Sequence, residues 1–262
     1  MTIVRLDLAY HGAEFAGWAV QPGLRTVQAE LEGAIEKRTG QSASLSVAGR
    51  TDAGVHAWGQ VASFGLEGDP PEELGRALNA LTGDDLAVLD AVPAPNGFDA
   101  RCAAKSRTYC YRVLAAPVAS PFERALALFW PHPIDRGLLD RCAEALLGTH
   151  DFTAFTPTQT EHVRFERQVL RAAWLKEPNP TAPQTGTPGA EGEEVPGDVL
   201  QFWIEADAFM RNMVRVLVGT MLEVAAGRRS LEDFARLLEG APREAAGDTA
   251  RAHGLYLAAV RY

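Results

Sequence analysis

Thirteen consecutive residues, Ala48-Gly49-Arg50-Thr51-Asp52-Ala53-Gly54-Val55-His56-Ala57-Trp58-Gly59-Gln60, set an arginine, an aspartate and a histidine between paired glycines. Ser44–Val47 before them and Val61–Phe64 after them read as strands. A carboxylate in a short loop held at both ends by a sheet can serve as a nucleophile or a general base. Arg50, two residues ahead of Asp52, supplies a guanidinium able to keep that carboxylate ionised and oriented. The same residues also describe an Asx turn beside a surface ion pair, and Thr-Asp-Ala-Gly alone favours that turn over a catalytic loop. His56 has no second histidine or cysteine at ligand spacing on its element, so a structural hydrogen bond is expected of it rather than a metal site.

Other segments offer partners. In Lys105-Ser106-Arg107-Thr108-Tyr109-Cys110-Tyr111-Arg112, strand alternation puts Arg107, Tyr109 and Tyr111 on one face. Aromatic rings interleaved with arginines suit stacking on a base beside a phosphate, while an aromatic ladder within a sheet would look the same. Arg211 and Arg215 lie four apart in Phe209-Met210-Arg211-Asn212-Met213-Val214-Arg215, and an arginine among Met213, Val214, Leu217 and Val218 either snorkels to water or pairs with a buried acid. Asp52 is a candidate for that acid. The runs Tyr10–Trp18 and Gly148–Phe155 read as packed turns. No phosphate-cradling glycine loop, Ser-His-Asp set or metal box is present.

The chain that must position these groups has 262 residues, 47% hydrophobic and 23% charged, a composition suited to a globular core. No apolar run approaches membrane-spanning length, and Met1–Leu8 lacks the pattern of a secretory leader. Three cysteines, Cys102, Cys110 and Cys142, fit a reducing cytoplasm and are expected as buried filler. The net charge of −9 weighs against a nucleic-acid partner, but it is unevenly placed. Residues 177–198 hold five acids and no Lys or Arg, whereas 101–124 carry a local +4 and 211–229 a local +3. Local basic surfaces on an acidic chain are therefore compatible with the count.

Residues 1–100 alternate as strand (Thr2–Ala9), helix capped by Thr26 and stopped by Gly40, two strands around the Asp52 loop, helix opened by Pro70-Pro71, and strand (Leu86–Val92). Residues 101–262 repeat the order: Ser106–Ala115, a helix capped by Asp135, strands Gln168–Lys176 and Val199–Asp207, an apolar helix Phe209–Ala226, and a last strand within Gly254–Tyr262. The expected fold is α+β, with two tandem ferredoxin-like βαββαβ units and antiparallel or mixed sheets. The Pro-, Gly- and acid-rich 177–198 stretch cannot offset its ordering entropy by burial and is expected to be a disordered insertion.

Taken together, Gly49–His56 with Gly59-Gln60-Val61, Arg107–Tyr111, Gly148–Phe155, Met213-Val214-Arg215 with Gly219, and Gly254–Leu257 resemble the bacterial tRNA pseudouridine synthases of the TruA type. The resemblance implies two ferredoxin-like halves around a central cleft. It also implies conversion of uridine to pseudouridine in the anticodon stem-loop of tRNA, by a homodimer in the cytoplasm, with no cofactor and no metal. By the same resemblance Asp52 attacks the target nucleoside, Tyr109 stacks on its base, and Arg50 and Arg215 contact the aspartate or help to open the site, while Arg107 joins Tyr109 in substrate binding. His11 stands where the family usually carries an acid, and Ala19 where glutamine is frequent. A non-catalytic RNA-binding protein of the same fold, and a carboxylate-dependent nucleoside hydrolase, are the alternatives.

Overall fold

The computed structural model describes residues 1–160, 163–178 and 198–262. Its fold is α+β, and its strands pair both parallel and antiparallel. By their contacts the described residues form two compact units, one of Met1–Thr108 with Tyr256–Tyr262 and one of Tyr109–Leu255.

In the first unit, β1 (Thr2–Tyr10) lies between β3 (His56–Leu66) and β4 (Leu86–Ala94), antiparallel to both, and the short β2 (Ser46–Val47) pairs antiparallel with β3. The alternation visible in Ile3-Val4-Arg5-Leu6-Asp7-Leu8 is realised as burial: Val4, Leu6 and Leu8 are fully enclosed. Register sets Val4 opposite Phe64 and Leu6 opposite Ala62, so opposed residues of β1 and β3 line one apolar face. Helix α1 (Val27–Thr39) contributes Val27, Leu31, Ala34 and Ile35 to the buried set. Thr26 caps it by accepting from Ala29 N–H, and Gly40 ends it in the left-handed conformation at φ 71°. Helix α2 is shorter than its sequence suggests: Glu73 sits at φ 53°, so the helix begins at Leu74 and ends at Asn79.

Strand β10 (Leu255–Arg261) runs parallel to β3, with Tyr256 opposite His56 and Leu257 opposite Ala57. Element order reads this strand as the close of the second repeat, yet Tyr256–Tyr262 is compact with the first unit. The contacts explain why. Val260 and Tyr262 pack with Phe98 against Ala48, Val61 and Ala100, and the Tyr262 hydroxyl donates to Ala100 O at 2.9 Å.

In the second unit β5 (Ser106–Ala115), β9 (Asp198–Ala206), β8 (Glu166–Pro178) and β7 (Gly148–Asp151) are neighbours in that order, and β6 (Leu128–Trp130) runs parallel to β5. The expected disordered insertion falls almost wholly outside the described residues. Its ends, Glu177, Pro178 and Asp198, belong to the antiparallel β8–β9 pair. Asp135 caps α3 (Arg136–Ala145) by accepting from Leu138 N–H, and Ser230 caps α5 (Leu231–Arg236) by accepting from Asp233 N–H. The most apolar helix, α4, spans Met213–Ala225 rather than 209–226, because Asn212 at φ 61° breaks the helical path. Arg211 therefore lies in the turn before α4 and not on a face shared with Arg215.

Cys110 and Cys142 are buried fillers as expected, and burial pushes both thiols up to about 12, which keeps them protonated. Cys102 is exposed, contrary to expectation, because it follows Asp99 in a surface turn where Asp99 Oδ1 accepts its N–H. Among the described residues no helix is long and apolar enough to cross a membrane.

Two helical glycines make opposite demands. A Cβ on Gly219 of α4 would stand 1.9 Å from the Asp248 carbonyl oxygen, whereas one on Gly33 of α1 would meet nothing within 4 Å. Gly219→Ala is expected to destabilise the second unit by about 1–3 kcal/mol through overpacking. Gly33→Ala should stabilise the first by about 0.5–1 kcal/mol through lower backbone entropy in the unfolded chain. Urea unfolding of the two variants checks both signs.

Candidate functional site

The loop that carries Arg50 and Asp52 leaves β2 and enters β3, and it is held from three sides within the first unit. Beneath its start, Arg107 donates from Nε and Nη2 to Ala48 O (3.0 and 2.8 Å), and its remaining donors reach Arg101 O and Ala104 O (3.0 and 3.1 Å). Read from the sequence as a substrate contact, this side chain is placed as a clamp on backbone carbonyls. A guanidinium suits that role because its donors radiate in one plane.

From the side, the segment after β1 packs backbone to backbone against the loop. Gly12 is so close that a Cβ there would fall 2.0 Å from Val55 O, and only glycine fits. Gly12 N–H donates to His56 Nδ1 at 3.0 Å, Trp18 N–H to Thr51 O at 3.0 Å, and Gly54 N–H to Phe15 O at 3.4 Å. Phe15 and Trp18 are buried. Tyr10–Trp18 is thus a packed turn whose packing surface is the loop itself. His56 is buried and carries the structural hydrogen bond expected of it. Its ring stacks on Tyr256 at 4.6 Å and meets His11 edge-on at 4.5 Å.

From within, three buried polar side chains, Tyr10, Thr51 and Gln60, join the loop to the sheet. The Tyr10 hydroxyl and Thr51 Oγ1 are 2.8 Å apart, and Gln60 Nε2 donates both to the Tyr10 hydroxyl (3.2 Å) and to Gly49 O (2.7 Å). Burial pushes the Tyr10 phenol up to about 12, so it stays neutral and able to donate. Sequence reasoning missed this trio. A signal was available: Gln60 stands at an inward position of β3, and a buried amide must be hydrogen-bonded. Held in this way, Asp52 is half-buried and Arg50 exposed, on a loop whose turn closes through Val55 N–H to Asp52 O at 3.1 Å.

Tyr109 and Arg215 belong to the second unit. Tyr109 is buried, its ring edge-on to Phe209 at 4.9 Å. Tyr111, its neighbour on β5, is fully enclosed and donates to Arg251 O at 2.7 Å, which is a structural use. Arg215, in the first turn of α4, donates from Nε to Ala250 O (2.7 Å) and from Nη1 to Asn212 Oδ1 (3.0 Å). The left-handed Asn212 that sets the start of the helix thus also orients the arginine. Among the described residues no group of three or more His, Cys, Asp or Glu side chains could hold a metal ion.

A half-buried carboxylate on a braced loop, with an arginine two residues away, is an arrangement suited to acid, base or nucleophilic chemistry. Comparison with known proteins makes this specific. The family model described as tRNA pseudouridine synthase matches residues 8–101 and 142–262, and the chain belongs to that family. It is similar to proteins named tRNA pseudouridine synthase A: 43% identical over 99% of this chain and 89% of that of Frankia casuarinae, and 39% over 97% and 90% for Halalkalibacterium halodurans. For the protein of Lacticaseibacillus casei the figures are 38% over the full length of both.

The cradle has a charged brace. Arg25 lies over the Phe15 ring at 4.1 Å and bonds both Glu30 and Asp85, and its hydrogen bonds hold the Asp85 carboxyl below the usual carboxylate range. A lowered carboxylate pKa contributes stability above the unfolded value, near 3.9, and that contribution is lost as the pH falls through the folded value. Arg25→Met should therefore be less stable than the wild type at about pH 6, with the gap narrowing as the pH falls below about 4. Urea midpoints across that range test it.

Proposed function

We propose that this chain is an isomerase that converts uridine to pseudouridine in tRNA, acting in the anticodon stem-loop with Asp52 as the nucleophile. The family membership over nearly the whole chain carries the reading, and the three-sided support of the Asp52 loop is what such chemistry requires. In the reaction the bond between N1 of uracil and C1′ of ribose breaks, the detached uracil turns, and C5 bonds to C1′. C5 loses a proton and N1 gains one, so composition is unchanged. Asp52 engages the nucleoside while the base is free of the sugar. The target must first leave the base stack, which costs a few kcal/mol. Arg50, exposed on the same loop, supports the aspartate and the opened strand. Tyr109 stacks on the base, and Arg215 contacts the aspartate or helps to open the site. Arg107 joins Tyr109 in binding the substrate.

The protein acts as a cytoplasmic homodimer, with tRNA its only substrate and no cofactor in the reaction. The architecture is read as two tandem ferredoxin-like units, 1–100 and 101–262. The antiparallel order β4-β1-β3-β2 in the first and the neighbouring β5, β9 and β8 in the second support this.

Unmodified tRNA transcripts mapped for pseudouridine after incubation with the protein test the reading. The wild type should form pseudouridine in the anticodon arm, and Asp52→Ala should lower the rate by about 10³-fold or more with tRNA still bound. Equal product from the variant would overturn the role of Asp52. Binding without product would favour the non-catalytic protein, and free uracil the hydrolase. Affinity for tRNA is expected to fall steeply between about 50 and 200 mM salt despite the net charge of −9, because phosphate contacts release counterions. Filter binding across that range measures the slope.

A further inference from the structure

The polar trio of Tyr10, Thr51 and Gln60 is a closed set of buried hydrogen bonds. A primary amide has two donors and one acceptor. Both donors of Gln60 are committed, to the Tyr10 oxygen and to Gly49 O, and its Oε1 accepts from Val61 N–H at 3.1 Å. Gln60 Nε2 can only donate, so the phenol oxygen accepts from it, while either oxygen can be the donor in the 2.8 Å bond between the phenol and Thr51 Oγ1. The two contacts from this hub fall on Gly49 and Thr51, the neighbours of Arg50, and Thr51 is joined by one peptide to Asp52. Gln60 has no accessible surface, Tyr10 is 5% exposed and Thr51 7%. At this burial the loss of one partner leaves the other with an unmet hydrogen bond, so each bond favours one rotamer strongly.

We propose that Tyr10 is a positioning residue of the reaction: its hydroxyl, oriented by Gln60, fixes the Thr51 rotamer and so the direction in which Asp52 leaves the loop. The inference rests on the nucleophilic role of Asp52. Tyr10 touches no reacting atom; it acts through Thr51. Removing its hydroxyl leaves the phenyl ring to fill the same space beside Phe15 and Trp18, whose rings lie 6.3 Å away. The loop then keeps its packing and loses its orientation.

The test compares Tyr10→Phe, Thr51→Val, Thr51→Ser and the double variant Tyr10→Phe/Thr51→Val, in the full chain and below the melting range of each. Single-turnover formation of pseudouridine should fall about ten- to a hundredfold in Tyr10→Phe and in Thr51→Val, with tRNA affinity within about twofold of the wild type. The double variant should be no slower than either single one, since both remove the same bond. Thr51→Ser restores the hydroxyl and should recover most of the rate. A role in folding alone would lower the melting temperature and leave the rate of the folded protein unchanged. That result, or losses that multiply in the double variant, would overturn the proposal.

Amide hydrogen exchange supplies a readout that needs no turnover. Residues 49–55 should exchange faster in Tyr10→Phe and Thr51→Val, while β1 and β3 stay protected. Unaltered exchange at 49–55 would overturn the proposal. Should the wild type form no pseudouridine, the functional reading falls, and exchange alone decides whether Tyr10 orients the loop.

Discussion

The pairing of β1 with β3 is the constraint on which the Asp52 loop depends. From Thr2 opposite Leu66 to Leu8 opposite Gln60 the register is regular; at the next step it slips, and Tyr10 faces Ala57. Two residues of β1 span three of β3, so the extra residue lies within Trp58–Gly59. Gly59 is where β10 presses closest: a Cβ there would lie 2.5 Å from Ala258 O. Such bulges turn side chains away from the regular alternation. Here the slip brings Tyr10 and Gln60 together under the loop, and it leaves His56 as the first residue of β3, facing Gly12. A slip of one residue in the regular part would instead expose Val4, Leu6 and Leu8. The apolar core thus enforces the register that aims the polar trio.

Arginine has a second use in this protein besides charge. The local surplus in residues 101–124 contains Arg107, which holds three carbonyls, and Arg112, which pairs with the buried Glu123 at 2.9 Å and also donates to Leu126 O. In residues 211–229, Arg215 holds Ala250 O and Arg229 pairs with Glu223 at 3.0 Å. The exposed cations of these stretches are Arg101, Lys105, Arg124, Arg211 and Arg228. A count of basic residues therefore overstates the positive surface available to a phosphate backbone, because part of it braces loops that would otherwise have carbonyls to satisfy.

Local signals in the sequence were legible because they act locally. Thr26 and Asp135 cap the helices they were read to cap, and the alternation of β1 predicts its burial, since each depends on a few adjacent residues. Boundaries failed where one backbone conformation decides them. Asn212 and Glu73 adopt positive φ, and composition does not announce this in a residue other than glycine. Asp52 and Arg50 stood out by type and spacing. The groups that hold them did not, because Tyr10 lies 41 residues from Thr51 and 50 from Gln60, and Arg107 lies 59 from Ala48. Bonds of that separation arise only from sheet register, and no window along the chain contains them.

The placement of Tyr256–Tyr262 has a consequence for synthesis. The first unit holds Asp52 and is otherwise encoded in the first 108 residues, yet its sheet is completed by the last seven. A nascent chain can pair β1 with β3 and pack α1 early. It cannot stack Tyr256 on His56, or close the Phe98 cluster with Tyr262, until residues 256–262 have emerged from the ribosome. Contacts of such sequence separation form late in folding. The loop that bears Asp52 is therefore finished only once residues 256–262 have been made and have packed against it.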